Sequence, residues 1–337
     1  MKSTYIVFPE KEKVRVEEET VAPPEPNEIL CAAEKSLISI GTESYCLRGI
    51  FDPGTNWEAW VKYPFRPGYS LAARVVAVGK DVQSIREGDR VAAWVPHQQY
   101  FKISPEDAYP LPDGVSAEEA TWAILATTTQ LGVRRAQLQL GESVGVVGLG
   151  MLGQLVVQYL YIAGCRQIVA IDPLASRLDM AHAHGATHTL ALDVVSARAE
   201  IEQLTRGKML DVVYDITGNP TVLAPATQLL RRLGRLVLLG DTPNPTQQHL
   251  GPGILSNSIA ILAIHATARP VAGSDFYPWG AKEMVSLFFD YLLQRRMRVA
   301  DLITHRFSPL DAPQVYEMLR RDRSAALGVI FDWSLIH

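Results

Sequence analysis

Gly148-Leu149-Gly150-Met151-Leu152-Gly153 follows the apolar run 144–147 and opens the helix-patterned segment 155–163. A GxGxxG match is weak by itself. Set between a strand and a helix it becomes specific, because each glycine then has a separate task. Gly148 permits the tight turn, Gly150 lets a pyrophosphate approach the backbone, and Gly153 lets the helix pack on the strand. The helix N-terminus faces the phosphates with free N–H groups and a positive dipole end. A second apolar run, 167–171, ends at Asp172, close to the ~20-residue offset of a ribose-binding acid. The stretch therefore reads as a dinucleotide-binding site.

Outward from this stretch, strands and helices alternate. Strands are expected at 144–147, 167–171, 189–192, 211–215, 235–239 and 259–265, with helices at 151–163 and 176–184 stopped by Gly164 and Gly185. Six strands joined by crossovers give a doubly wound parallel sheet. Before residue 116 the pattern differs. Short strands at 5–8, 29–33, 71–78 and 90–95, broken by Pro, Gly and Glu, suggest a β-rich barrel or sandwich. Residues 117–135 read as one helix, with Ser116 and Glu119 spaced as a capping box. The tail adds helices at 282–295 and 309–320 and a strand at 327–331.

Composition narrows the class. The chain has 337 residues, 47% hydrophobic and 20% charged, which suits a globular protein of two domains. A net charge of −4 without a Lys/Arg stripe argues against nucleic acid as a partner. No apolar run has the ~18 residues of a membrane span, and the N-terminus lacks a signal-peptide core. Cys31, Cys46 and Cys165 are three in number and show no CxxC spacing. They imply no disulfide framework and no four-cysteine zinc lobe, and a cytoplasmic location is expected.

The order of motifs resembles the medium-chain dehydrogenase/reductase superfamily over nearly the whole chain. The marks are Gly41-Thr42-Glu43, Gly68, Val75-Val76-Ala77-Val78-Gly79, Gly88-Asp89-Arg90-Val91, the glycine stretch, Asp215-Ile216-Thr217-Gly218, Leu233-Gly234-Arg235 and Leu302-Ile303-Thr304-His305. The resemblance implies an α/β protein with a GroES-like β-rich catalytic domain at 1–126. A Rossmann domain would follow at 127–268, and 269–337 would return to complete the catalytic domain. The active site would lie in the cleft between them. Dimerisation through the strand at 259–265 is also implied. Ile38-Ser39-Ile40-Gly41-Thr42-Glu43 and Val95-Pro96-His97 look like a subgroup that includes the bacteriochlorophyllide 2-hydroxyethyl dehydrogenase.

Departures from the family pattern matter as much. Zinc-dependent members place a Cys before the Gly-Thr pair, where this chain has Ile40. They place His-Glu after the next glycine, where this chain has Tyr69 and Ser70. The third ligand should fall near Ala123, yet 121–129 holds no Cys, His, Asp or Glu. A catalytic zinc needs three such protein ligands. The chain therefore resembles a zinc-independent branch, and no metal is expected.

Without a Lewis acid, hydrogen-bond donors must stabilise the substrate oxygen and a general acid or base must move the proton. By resemblance Thr42 contacts that oxygen, Tyr45 falls at a relay position, and Tyr69 replaces a ligand. His97 follows the strand at 90–95, and an imidazole titrates near neutral pH. Thr42, His97, Tyr69 and Tyr45 are the expected catalytic residues; Glu43 is expected to orient its neighbours. Gly148, Gly150, Met151, Leu152, Gly153, Asp172, Arg177, Thr127, Thr217 and Gly240 form the expected cofactor set. Asp172 favours NAD, while Arg177 leaves NADP possible. Leu327 stands where many members carry a basic residue against the pyrophosphate. His182, His184 and His188 read as a solvated helix end and His305 as structural. Aromatic residues at 50–66 and 276–279 suit a mid-sized apolar substrate.

The expected activity is hydride transfer between NAD(P) and an alcohol or ketone. Two alternatives stay open: an enoyl- or quinone-type reductase, and a non-catalytic NAD(P)H-binding protein.

Overall fold

A computed structural model describes residues 1–336. It divides into two units, Met1–Ile124 with Val285–His337, and Leu125–Met284.

The first unit is a β structure. β1 (Lys2–Val7) and β2 (Arg15–Thr20) form an antiparallel ribbon. β3 (Ile29–Leu37), β4 (Leu71–Val78), β5 (Arg90–Ala93), β6 (Tyr100–Ile103) and β7 (Ala108–Pro110) follow. The second unit contributes β8 (Ser143–Val147), β9 (Gln167–Ile171), β10 (His188–Leu190), β11 (Leu210–Asp215), β12 (Leu230–Leu238) and β13 (Ala260–Ala263). The chain then returns with β14 (Ile303–Phe307) and β15 (Gly328–Asp332). In the first unit the sheet runs β14-β15-β3-β4-β5-β7, with β6 paired to β3. Leu71, Ala73 and Val75 alternate inward from β4 onto Ile29, Cys31, Val91 and Phe101. That period of two is what a half-buried strand requires.

In the second unit the order β10-β9-β8-β11-β12-β13 is parallel throughout. The order reverses beside β8, which puts the ends of β8, β9 and β11 at the switch point. Val144 and Val146 face one apolar layer with Val156, Val157 and Leu160. Val147 faces the other, with Val169, Ile171, Ile201 and Leu236. Both faces are covered, as a parallel sheet demands.

Three local expectations change. The helix at 117–135 is two helices, Ala117–Ala120 and Ala123–Arg135. Thr121 ends the first one, its hydroxyl donating to the Glu118 carbonyl at 2.7 Å. The capping box at Ser116 and Glu119 forms as read. Gly41-Thr42-Glu43, which was given no element, lies in the first turn of a helix, Ile40–Arg48. Residues 269–284, expected with the tail, stay with the second unit. Gln130 Nε2 donates to the Met284 carbonyl at 3.1 Å, and the Arg134 guanidinium lies 3.4 Å from the Trp279 ring centroid. Among the described residues no helix is long and apolar enough to cross a membrane.

Candidate active site

The three glycines of the loop differ in the space around them. Gly148 turns with φ +90°, and a Cβ there would sit 2.9 Å from Thr217 Cγ2. Gly153 lies so close under the Gly148 carbonyl oxygen that no side chain fits. Gly150 is the N-cap of the helix Met151–Ile162, and a Cβ on it would meet nothing within 4 Å. The one glycine with open space is thus the one assigned to the phosphates. Met151 is buried and Leu152 half-buried just inside this helix.

Asp172 follows β9 and is 5% exposed. Its carboxylate accepts Leu149 N–H at 2.8 Å and Leu174 N–H at 2.9 Å. Arg177 Nη1 stands 3.9 Å away. The acid therefore ties the glycine loop to the turn after β9, with the guanidinium at its side. At the end of β11, Asp215 accepts both the Thr217 N–H (2.9 Å) and hydroxyl (2.7 Å). Burial holds the Asp215 carboxyl above its ordinary range, against the pull of those two bonds. Gly240 packs on the Gly218 turn, too tightly for a Cβ. Thr127 is fully buried and accepts from Arg269 Nη1 at 3.3 Å. Gly148, Gly150, Gly153, Asp172 and Arg177 are thus brought together by one turn and its neighbour. Thr217 joins them through its contact with Gly148.

In the first unit the catalytic expectations gather around one helix start. Ser39 Oγ lies 2.6 Å from the Tyr69 hydroxyl. Thr42 also bears on the Tyr69 phenol and favours its ionised form. Burial pushes the Tyr69 phenol up; Ser39 and Thr42 oppose this, and Glu43 and Cys46 add to it. At neutral pH Tyr69 is therefore a protonated donor. The Tyr69 ring leans on Trp94 at 5.5 Å. Ser39 was missed as a member of this set. Only its place before the Gly-Thr pair hinted at it.

His97, expected as a proton carrier at a cleft edge, lies inside the fold. It is 1% exposed. Its Nδ1 is 2.8 Å from Ser36 Oγ and its Nε2 3.1 Å from Glu43 Oε2. Both ring nitrogens are engaged, so neither is left for a substrate. The ring lies against Gly68, where a Cβ would come 2.6 Å from His97 Cδ2. The Tyr45 ring packs edge-on against Trp57 at 5.6 Å. The aromatic residues at 51–65 pack on each other, Phe51 on Trp57 and Trp60 on Phe65. Phe276, in contrast, is 99% exposed. His184 is buried rather than solvated.

Among the described residues no three His, Cys, Asp or Glu side chains converge to hold a metal ion. Ile40 and Tyr69 occupy two of the family's ligand positions. Their donor chemistry does not fit zinc.

The alcohol dehydrogenase GroES-like domain matches residues 34–122, and the zinc-binding dehydrogenase domain matches residues 152–283. The chain belongs to the medium-chain dehydrogenase/reductase superfamily. Its two units are the GroES-like β domain and the Rossmann-type parallel sheet of that superfamily. D-guloside 3-dehydrogenase of Escherichia coli K12 is 27% identical over 274 residues, 79% of this chain and 78% of that protein. Sorbitol dehydrogenase of Bacillus subtilis is 28% identical, covering 68% and 72%. A crystal structure of an E. coli oxidoreductase/dehydrogenase of unknown specificity superposes with TM-score 0.82 at 19% identity, covering 98% of this chain and 99% of that one. The E. coli alcohol dehydrogenase rspB, complexed with NADH, superposes with TM-score 0.80 at 19% identity over the same shares.

Proposed function

We propose that this protein is a zinc-independent oxidoreductase that interconverts an alcohol and a ketone with NAD or NADP. One observation carries the reading. Where superfamily members of the zinc type hold metal ligands, the hydroxyls of Ser39, Thr42 and Tyr69 lie together at a helix start. The relatives named above are dehydrogenases of a guloside and of sorbitol, and one structural neighbour was solved with NADH. These names support alcohol chemistry and a nicotinamide cofactor.

Gly148, Gly150, Gly153 and the helix N-terminus at Met151 would hold the pyrophosphate, and Asp172 the adenine ribose. The cradle fits: Gly150 is open on the side where a Cβ would stand. When bound, the nicotinamide supplies or takes up a hydride. Tyr69 and Thr42 donate hydrogen bonds to the substrate oxygen, stabilising the charge that zinc would otherwise offset. In the reducing direction Tyr69 gives its proton to that oxygen, and Ser39 shares its hydrogen bond with the phenolate that forms. Water reprotonates the phenolate after reduction; in the oxidising direction Tyr69 first gives its proton to water, and the phenolate then takes the proton of the alcohol. Asp172 favours NAD; Arg177 at 3.9 Å keeps a 2′-phosphate within reach of a cation. The aromatic residues Trp94 and Tyr69 favour a mid-sized substrate with an apolar face. The subgroup likeness at 38–43 and 95–97 adds no substrate to this reading.

The test is turnover by chelator-treated protein with NAD(P) and NAD(P)H on panels of polyols, apolar alcohols, ketones and enones. Turnover on alcohols or ketones is expected, falling about 10²-fold in Tyr69→Phe or Thr42→Ala, the usual loss of one donor to a developing charge. Activity that needs one zinc per chain, or turnover on enones alone, refutes the proposal. Cofactor binding with no turnover at all refutes it in favour of a non-catalytic protein.

A further inference from the structure

Beneath the Ser39, Thr42 and Tyr69 hydroxyls lies a buried carboxylate that the proposed reaction leaves unused. Glu43 is 1% exposed. Its Oε1 accepts the Ser39 N–H at 2.7 Å. Its Oε2 faces His97 Nε2 at 3.1 Å and accepts the Tyr316 hydroxyl. The tautomer of His97 follows from the carboxylate at Nε2, which can only accept. Ser36 Oγ accepts the Trp333 Nε1–H at 2.9 Å, so its own hydrogen is free to point at His97 Nδ1, 2.8 Å away. Nε2 then carries the imidazole hydrogen and donates it to Glu43. Three donors converge on one carboxylate, the arrangement that stabilises an ionised group away from water. Two anchors, Tyr316 and Trp333, come from the last 22 residues of the chain.

We infer that Glu43 is the positioning residue of the Tyr69–Ser39–Thr42 hydroxyl set, clamped in place by Tyr316 and His97. The inference rests on the reading of Tyr69 and Thr42 as donors to the substrate oxygen. Glu43 acts through geometry and through charge. Its Oε1 fixes the Ser39 backbone one residue before the helix Ile40–Arg48, and Ser39 in turn holds the Tyr69 hydroxyl. Its negative charge opposes ionisation of the phenol. The groups that bear on the phenol are few. Glu43 and Cys46 come from the helix and both disfavour the phenolate. Burial keeps the Cys46 thiol neutral, since it is pushed up strongly. Trp94, tilted against the Tyr69 ring, carries no charge. Glu43 thus adds a full negative charge to the burial that already holds the Tyr69 phenol up.

The experiment is a pH titration of the full-length protein labelled with [ζ-13C]tyrosine, without substrate or cofactor. The Tyr69 resonance is assigned by its loss in Tyr69→Phe. Wild-type Tyr69 should ionise above the ordinary phenol range, and its midpoint should move down in Glu43→Gln. Tyr316→Phe keeps the ring that meets Phe8 edge-on at 5.0 Å, so its core contact survives. It should displace the Tyr69 resonance and lower kcat about tenfold or more with KM for NADH unchanged, as a small misplacement of a reacting group does. A Tyr69 midpoint equal in Glu43→Gln and wild type overturns the inference and leaves the proposed activity standing. Should Glu43→Gln fail to fold, an unmoved Tyr69 resonance in Tyr316→Phe overturns it. A moved midpoint with no turnover on alcohols or ketones supports the positioning of Tyr69 and removes the proposed activity.

Discussion

Gly150 and Gly153 stand three residues apart in one loop, and their alanine variants should fail in opposite ways. At Gly153 a methyl group would overlap the Gly148 carbonyl oxygen, a rigid backbone partner. The helix Met151–Ile162 must then lift from the end of β8. Overpacking of this kind costs about 1–3 kcal/mol. At roughly 2–4 °C per kcal/mol for a domain of this size, Gly153→Ala should melt about 2–12 °C lower. At Gly150 nothing lies within 4 Å of the new methyl, and the backbone (φ −67°, ψ −169°) is open to alanine. Alanine is a poorer N-cap than glycine by some tenths of a kcal/mol, roughly. Removing a glycine from the unfolded chain returns about 0.4–1 kcal/mol. The melting point should therefore stay within about 2 °C. The methyl instead takes the space assigned to the pyrophosphate, and NADH binding should weaken about 10–100-fold, or about 1.4–2.8 kcal/mol. Differential scanning fluorimetry and NADH fluorescence titration read the two effects separately. If Gly150→Ala melts as low as Gly153→Ala and binds NADH like wild type, the assignment of the loop is wrong.

Two further outcomes are expected. Asp172→Ala should weaken NADH more than NADPH, because the acid that would face the ribose is gone while Arg177 remains; an unchanged ratio of the two dissociation constants would sink the ribose assignment. Asp215 gives a pH dependence. Its carboxyl is held by burial above its ordinary 3.8, so the folded state binds the proton more tightly than the unfolded chain. The stability it contributes is present below that ordinary value and is lost as pH rises through the folded one. Urea unfolding between pH 4 and 7 should show a smaller fall with rising pH in Asp215→Asn, whereas equal slopes would contradict the burial argument.

The amino-acid sequence by itself determined the second unit. Its signals are local: apolar runs of one strand's length, glycines where the chain turns, and an acid after β9. Each acts on its immediate neighbours, so each is legible in order along the chain. Thr42 and Tyr69 were also visible, because they stand at motif positions. The partners of His97 and Glu43 were not, although Glu43 was expected to orient its neighbours. Their bond joins residues 54 apart, and the Tyr316 hydroxyl that completes it comes from 273 residues away. Nothing near His97 in the chain says that both its nitrogens will be engaged. Only folding the tail back onto the first sheet buries that carboxylate and brings the Tyr316 hydroxyl to it. Tertiary structure decided which polar side chains are buried and with what partners, because burial belongs to the whole fold and to no segment of it.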